Sequence, residues 1–154
     1  MPHSGLSEAE AEAGELAQAA DELFFAMRKA RSAGAGEDGG LSLPQLTLLE
    51  PLAGGEDRPV GQLAAAADVT IPTATRMLQQ LEAAGVVTRR RAPDDERKVL
   101  VGLTADGLAR LTRLLERRRE RQALAFARFD AAERRQLISL LGRLTGVMKE
   151  FRDG

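Results

Sequence analysis

The 154 residues include no cysteine, tyrosine or tryptophan and a single histidine, His3, and 29% of them are charged, for a net charge of −1. Without thiolates there is no disulfide frame, no zinc–thiolate site and no cysteine redox switch, and one histidine at the chain start builds neither a metal cage nor the base of a nucleophilic triad. No uncharged run approaches the ~18 residues of a membrane span, and the first twenty residues are acidic without an apolar run, so the sequence predicts a cytoplasmic protein with no signal peptide.

The near-neutral total hides an asymmetry. Residues 1–60 carry four basic and eleven acidic residues, a net −7, whereas residues 61–154 carry eighteen and twelve, a net +6. Such a split hints at a second half that faces a polyanion, although charges that merely decorate solvated helices would look the same. Alanine, leucine and arginine dominate, which favours helices. The length suits one domain, residues 1–154.

In chain order, Ser7-Glu8-Ala9-Glu10 reads as a capping box that opens a long helix over residues 7–33. Leu16, Ala20, Leu23, Phe24, Met27 and Ala30 share one broad face of it. A glycine-rich connector follows at 34–40. Ser42-Leu43-Pro44-Gln45 is a second capping box, with proline in the tolerated first turn, and starts a short helix ending near Ala53. A two-turn helix at 60–67 leads through Asp68-Val69-Thr70 into a helix at 71–84, with Thr70 as N-cap and Gly85 as left-handed stop. Two β-leaning runs, 86–91 and 98–103, flank the polar loop Ala92-Pro93-Asp94-Asp95-Glu96 and predict a hairpin. Thr104 caps a helix to about Phe129, and Asp130-Ala131-Ala132-Glu133 opens the last one, to about Phe151. The fold class is therefore mainly α with a small β-hairpin, in the order α-α-α-α-β-β-α-α.

Two short helices joined by a three-residue break have the proportions of a helix-turn-helix. Burying Ala74, Leu78 and Leu81 leaves Thr73, Arg76 and Gln80 on the opposite face, with Thr75 and Gln79 at the flank. Arginine pairs bidentately with guanine, glutamine with adenine, and threonine serves phosphates or thymine methyls. Thr70 and the free amides beyond it offer an anion site at a helix start. A polar solvent face would contain the same residue types, so the hairpin decides the matter. It carries Arg89, Arg90, Arg91, Arg97 and Lys98, with Arg89 and Arg91 on one strand face, and it turns the helix-turn-helix into a winged helix over residues 41–103. Asp95 lies two residues before Arg97, a spacing that lets the carboxylate steady the guanidinium for a narrow minor groove.

These residues resemble the MarR family of bacterial winged-helix transcription regulators. The likeness runs through Val60-Gly61-Gln62-Leu63-Ala64, Val69-Thr70-Ile71-Pro72-Thr73-Ala74-Thr75-Arg76, Leu81-Glu82-Ala83-Ala84-Gly85-Val86-Val87, Asp95-Glu96-Arg97 and Leu103-Thr104-Ala105-Asp106-Gly107. The outer helices match in length and placement only. Asp68 stands where the family often has glycine, a position asparagine and aspartate tolerate better than most residues. The resemblance implies a homodimeric repressor of transcription that binds a pseudo-palindromic operator in double-stranded DNA. The helix carrying Thr73, Thr75 and Arg76 would enter the major groove and Arg97 the minor groove. It also implies release by a small aromatic or phenolic effector, with no other cofactor. Cysteine-based peroxide sensing is excluded, and zinc sensing does not fit a lone His3.

Residues 7–33 and 105–152 are the expected dimerisation helices. In the last one, Leu137, Leu141, Leu144, Met148 and Phe151 form a stripe that Leu140 and Val147 widen beyond what a small winged helix needs for its own core. Phe24, Phe25 and Met27 read as plain core rather than as a pocket lining. Arg110, Arg113, Arg117 and Arg121 share a stripe that is expected to be solvated or to pair with the acidic first helix. No phosphate loop or catalytic constellation marks an enzyme, and RNA binding lacks stacking aromatics in the hairpin. A winged helix that binds protein without reading DNA remains the alternative.

Overall fold

The computed structural model describes residues 4–33 and 40–153. His3 and all of the glycine-rich connector except Gly40 lie outside the described residues. The first helix, α1, runs Ser4–Ala33. It therefore starts a turn before the anticipated capping box, and Ser7 lies inside the helix, where the amides it was to cap have helical acceptors one turn back.

The Ser42 box is present. Its hydroxyl accepts from the Gln45 amide at 3.3 Å, and its own amide donates to Gln45 Oε1 at 2.9 Å. It opens α2, Leu43–Leu49, which tightens into a 3-10 turn, Glu50–Leu52. α3 spans Val60–Ala66 and α4 spans Ile71–Ala83. The expected strands are β2, Val87–Arg91, and β3, Val99–Leu103. A two-residue strand, β1 (Arg58–Pro59), adds to the free edge of β3 and makes an antiparallel sheet in the order β1-β3-β2. Two residues show no alternation to detect, and Pro59 is tolerated there because β1 is an edge. α5 spans Ala105–Phe126, ending a turn earlier than expected, and α6 spans Ala131–Asp153. The Asp130 box is present too, since Asp130 Oδ1 accepts from the amides of Ala132 and Glu133 while Glu133 Oε2 takes the Asp130 amide.

Both turns around α4 use the same device. At the end of α3, Val69 N–H reaches back to the Ala64 carbonyl at 3.0 Å and Asp68 N–H to that of Ala65 at 3.2 Å. At the end of α4, Val86 N–H reaches the Leu81 carbonyl at 2.9 Å and Gly85 N–H that of Glu82 at 3.0 Å. This paired closure needs one left-handed residue, which is Gly85 (φ 73°) in one case and Asp68 (φ 53°) in the other. Asp68 is the one non-glycine residue with positive φ among those described, and the turn forms despite the absence of glycine.

The core is aliphatic. Leu41, Leu46, Leu48, Leu49, Leu52, Leu63, Ala64, Ala74, Met77, Leu78, Leu81, Val86, Val87, Val101, Leu111 and Leu114 form one buried cluster. It draws on α2, α3, α4, the sheet and the first half of α5, and it includes Met77, which the simple heptad reading of α4 left out. The chain divides into two units, Met1–Leu115 and Glu116–Gly154, with the division inside α5.

The large apolar side chains of α1, α6 and the second half of α5 do not join that core. All five phenylalanines (Phe24, Phe25, Phe126, Phe129 and Phe151) stand between 41% and 81% exposed. Phe24 and Phe25 pack edge to face with ring centroids 5.6 Å apart, and with Met27 they face solvent, so the expectation of plain core fails for this stripe in the single chain.

Because Asp68 alone among the described residues bears a left-handed backbone without being glycine, its side chain is testable. Asp68→Val should destabilise the protein by about 1–2 kcal/mol, the cost of a Cβ branch in that region, and so lower the thermal midpoint by several degrees. Asp68→Gly should leave the midpoint unchanged or raise it, as read by circular dichroism melting.

Candidate nucleic-acid interface

α4 is the best-prepared surface of the molecule. Ala74, Met77, Leu78 and Leu81 anchor one side of it in the core, which fixes the rotation of the helix about its axis. The opposite side presents Arg76, Gln79 and Gln80 exposed, with Thr73 and Thr75 half-buried. Between Thr70 and Gln80 there is no carboxylate, and Arg76 makes no ion pair among the described residues.

The N-terminus of α4 is more closed than its sequence suggests. Thr70 Oγ1 accepts from the Thr73 amide at 3.4 Å and donates to Thr73 Oγ1 at 2.9 Å. The Ala74 amide is bonded to the Thr70 carbonyl, and Pro72 has no N–H to give. Of the anticipated anion site, the Ile71 amide is the one donor left without an acceptor among the described residues. Thr75 Oγ1 is likewise committed, to the Ile71 carbonyl at 2.9 Å.

The wing separates its cations into two groups. Arg89 donates through Nε (2.9 Å) and Nη2 (2.7 Å) to Glu82 Oε2, tying β2 to the last turn of α4. Arg90, on the other strand face, reaches Asp57 Oδ2 at 2.8 Å, just ahead of β1. Arg91 donates to the Glu96 carbonyl at 2.6 Å and braces the loop. Arg89 and Arg91, expected on one strand face, are thus both engaged by groups of the protein itself. Arg97 and Lys98 are exposed, and neither side chain has an ion-pair partner among the described residues.

The Asp95–Arg97 expectation is also corrected. Asp95 Oδ1 accepts from the backbone N–H of Arg97 at 3.0 Å, not from its guanidinium. With Lys98 N–H on the Asp95 carbonyl and Ala92 N–H on the Lys98 carbonyl, both at 2.9 Å, the carboxylate shapes the turn from which Arg97 projects. A residue two positions away reaches the intervening amide more easily than a side-chain head, as in other Asx turns. Sequence reasoning missed Glu82 and Asp57 because their partners lie 7 and 33 residues away, across a turn and across the sheet. In α5, Arg110 of the basic stripe pairs with Asp106 of its own helix at 2.7 Å.

A helix-turn-helix with an exposed polar face and a cationic wing defines the class of winged-helix proteins. The MarR family model matches residues 41–99. The HTH-type transcriptional regulator YdgJ of Bacillus subtilis (strain 168) is 34% identical over 105 residues, 68% of this chain, and the HTH-type transcriptional repressor YetL of the same organism is 30% identical over 92 residues, 60% of this chain. The matched region spans 64% of YdgJ and 55% of YetL. A probable transcriptional regulator from Pseudomonas aeruginosa, 30% identical, superimposes with a TM-score of 0.62 over 80% of this chain and 97% of its own. Two structures of lower identity share the fold. The MarR family transcription regulator SP03579 has a TM-score of 0.84 at 22% identity, covering 98% of this chain and 99% of its own. The S. aureus MepR–DNA complex has a TM-score of 0.71 at 20% identity, covering 82% and 96%. The chain belongs to the MarR family of winged-helix transcription regulators.

The Glu82–Arg89 pair is half-exposed and joins the helix to the wing, so a double-mutant cycle can weigh it. Glu82→Gln and Arg89→Gln, singly and together, should reveal a coupling of about 0.5–1 kcal/mol in urea unfolding.

Proposed function

We propose that this chain is a cytoplasmic repressor of transcription that binds a pseudo-palindromic site in double-stranded DNA as a homodimer. One observation carries the reading. An exposed face of Arg76, Gln79 and Gln80 with half-buried Thr73 beside them, free of carboxylates, stands on a helix whose rotation is locked by the core, and next to it the wing leaves Arg97 and Lys98 without ion-pair partners among the described residues. On this reading α4 enters the major groove, where Arg76 and Gln80 meet base edges and Thr73 and the Thr70 turn meet phosphate. Arg97 and Lys98 follow the wing toward the minor groove or its flanking phosphates. Arg89, Arg91 and Asp95 act as braces that hold helix, strand and turn in register.

The dimer is supported by where the apolar side chains lie. Of the large apolar residues exposed among those described, Ile71 alone lies outside α1, α5, α6 and the link before α6. Leu137, Leu141, Met148 and Phe151 stand exposed along α6, with Leu144 half-buried. Covering each such side chain contributes about 1.5–3 kcal/mol, and a second copy offers the same surface in return. Two-fold symmetry would set the reading helices about one DNA turn, ~34 Å, apart. Kinship with the MarR family supports release by a small aromatic or phenolic anion that favours a dimer with mis-spaced reading helices. YetL is named a repressor, which supports that sense of regulation here.

Genomic fragments selected by the protein supply the probe for anisotropy titration. Arg76→Ala and Arg97→Ala should each weaken binding about tenfold or more, and Arg91→Ala by far less, with affinity falling steeply as salt rises. Unchanged affinity in the first two variants would point instead to a protein-binding winged helix. In sedimentation equilibrium the wild type should be a dimer, and Leu141→Asp with Met148→Asp a monomer that binds the same fragment about a hundredfold more weakly.

A further inference from the structure

We propose that Ile71 is a specificity-determining residue that reads thymine through its C5-methyl group, an inference that rests on the DNA-binding reading above. Ile71 is the first residue of α4 and stands 57% exposed, the one large apolar side chain of the winged helix that is exposed rather than buried or half-buried. A single exposed isoleucine ordinarily means nothing. Its position and its mooring give this one a use.

The backbone at Ile71 is fixed from both sides. Thr70 ahead of it is the N-cap, bonded to Thr73, and the Ile71 carbonyl holds the Thr75 hydroxyl. The side chain leans toward α3, where its Cδ1 lies 4.0 Å from the point a Cβ on Gly61 would occupy. Glycine there leaves the chain room to lie beside α3 without being covered. A β-branched residue in a helix also has one strongly favoured rotamer, so little entropy is lost when a partner arrives.

In a helix-turn-helix the N-terminal residues of the reading helix approach the base edges. The major-groove edge of thymine is the one that offers a methyl group, and apolar side chains distinguish it by contact. Around Ile71 the Thr70 hydroxyl and the Thr73 and Ala74 amides are bound internally and Pro72 lacks a donor, so few hydrogen-bonding groups compete with the isoleucine for a base edge at that spot. The chemistry that remains is methyl against methyl.

The test uses the intact protein and a duplex chosen from its own selected fragments, with each thymine replaced singly by deoxyuridine. The wild type should lose about fourfold in affinity at one thymine in each half-site, the transfer free energy of one methyl group, and little elsewhere. Ile71→Ala should bind the thymine duplex several-fold more weakly and no longer distinguish it from the deoxyuridine duplex, while Ile71→Val keeps part of the discrimination. Thermal melts should match the wild type, because the side chain is outside the core. Insensitivity of the wild type to every deoxyuridine overturns the proposal, as does a sensitivity that persists in Ile71→Ala. Failure to bind any duplex overturns the regulator reading and this inference with it.

Discussion

The backbone of Val86 is where α4, the wing and α5 are joined. Its N–H closes α4 on the Leu81 carbonyl, and its own carbonyl accepts from both the amide (3.0 Å) and the hydroxyl (3.2 Å) of Thr104. The same hydroxyl reaches the Gly85 carbonyl at 2.6 Å and accepts from the Gly107 amide at 2.9 Å, so one threonine ties the end of α4 to the start of α5. Gly107 belongs to this junction for a steric reason, since a Cβ there would overlap the Val86 carbonyl oxygen. Val86 itself is wholly buried, so α4, β2 and α5 meet at one backbone position held by direct hydrogen bonds rather than through a long loop.

Charges then trim that frame. Arg89 and Arg90 leave opposite faces of one strand and find Glu82 and Asp57, anchoring the wing to the helix behind it and to the loop before β1. Gly102, facing Asp57 across the sheet, has no room for a Cβ because the carboxylate occupies its place. Half-exposed pairs of this kind add little stability each, but they hold long side chains in one geometry. The cations not used in this way are those the wing can offer to a polyanion.

The partition of apolar side chains follows from size and shape. Aliphatic residues and Met77 fill the small winged-helix core between Leu41 and Leu114, whereas every aromatic ring lies on α1, α5, α6 or the link before α6. The winged-helix core does not take the wide apolar faces of α1 and α6, which stay exposed in the single chain. Net charge, by contrast, predicts poorly at the level of single residues. The basic second half is real, yet much of the cationic wing is spent inside the protein.

Much of the architecture was legible in the residues themselves. Capping boxes at Ser42 and Asp130, the Thr70 cap, Gly85 as helix stop and the order of helices and hairpin all act over three or four residues, the range that sequence patterns report. Ser7 misled because the same pattern lies within a helix that begins earlier. Tertiary structure alone decided the edge strand at Arg58–Pro59, the burial of Met77, the exposure of Phe24 and Phe25, and which arginines are braces. Asp95 and Arg97 show the boundary, since their spacing was readable but the atom that bonds was not. Spacing along a chain says which groups are able to meet, while the choice among partners depends on distances and burial that exist only once the chain has folded.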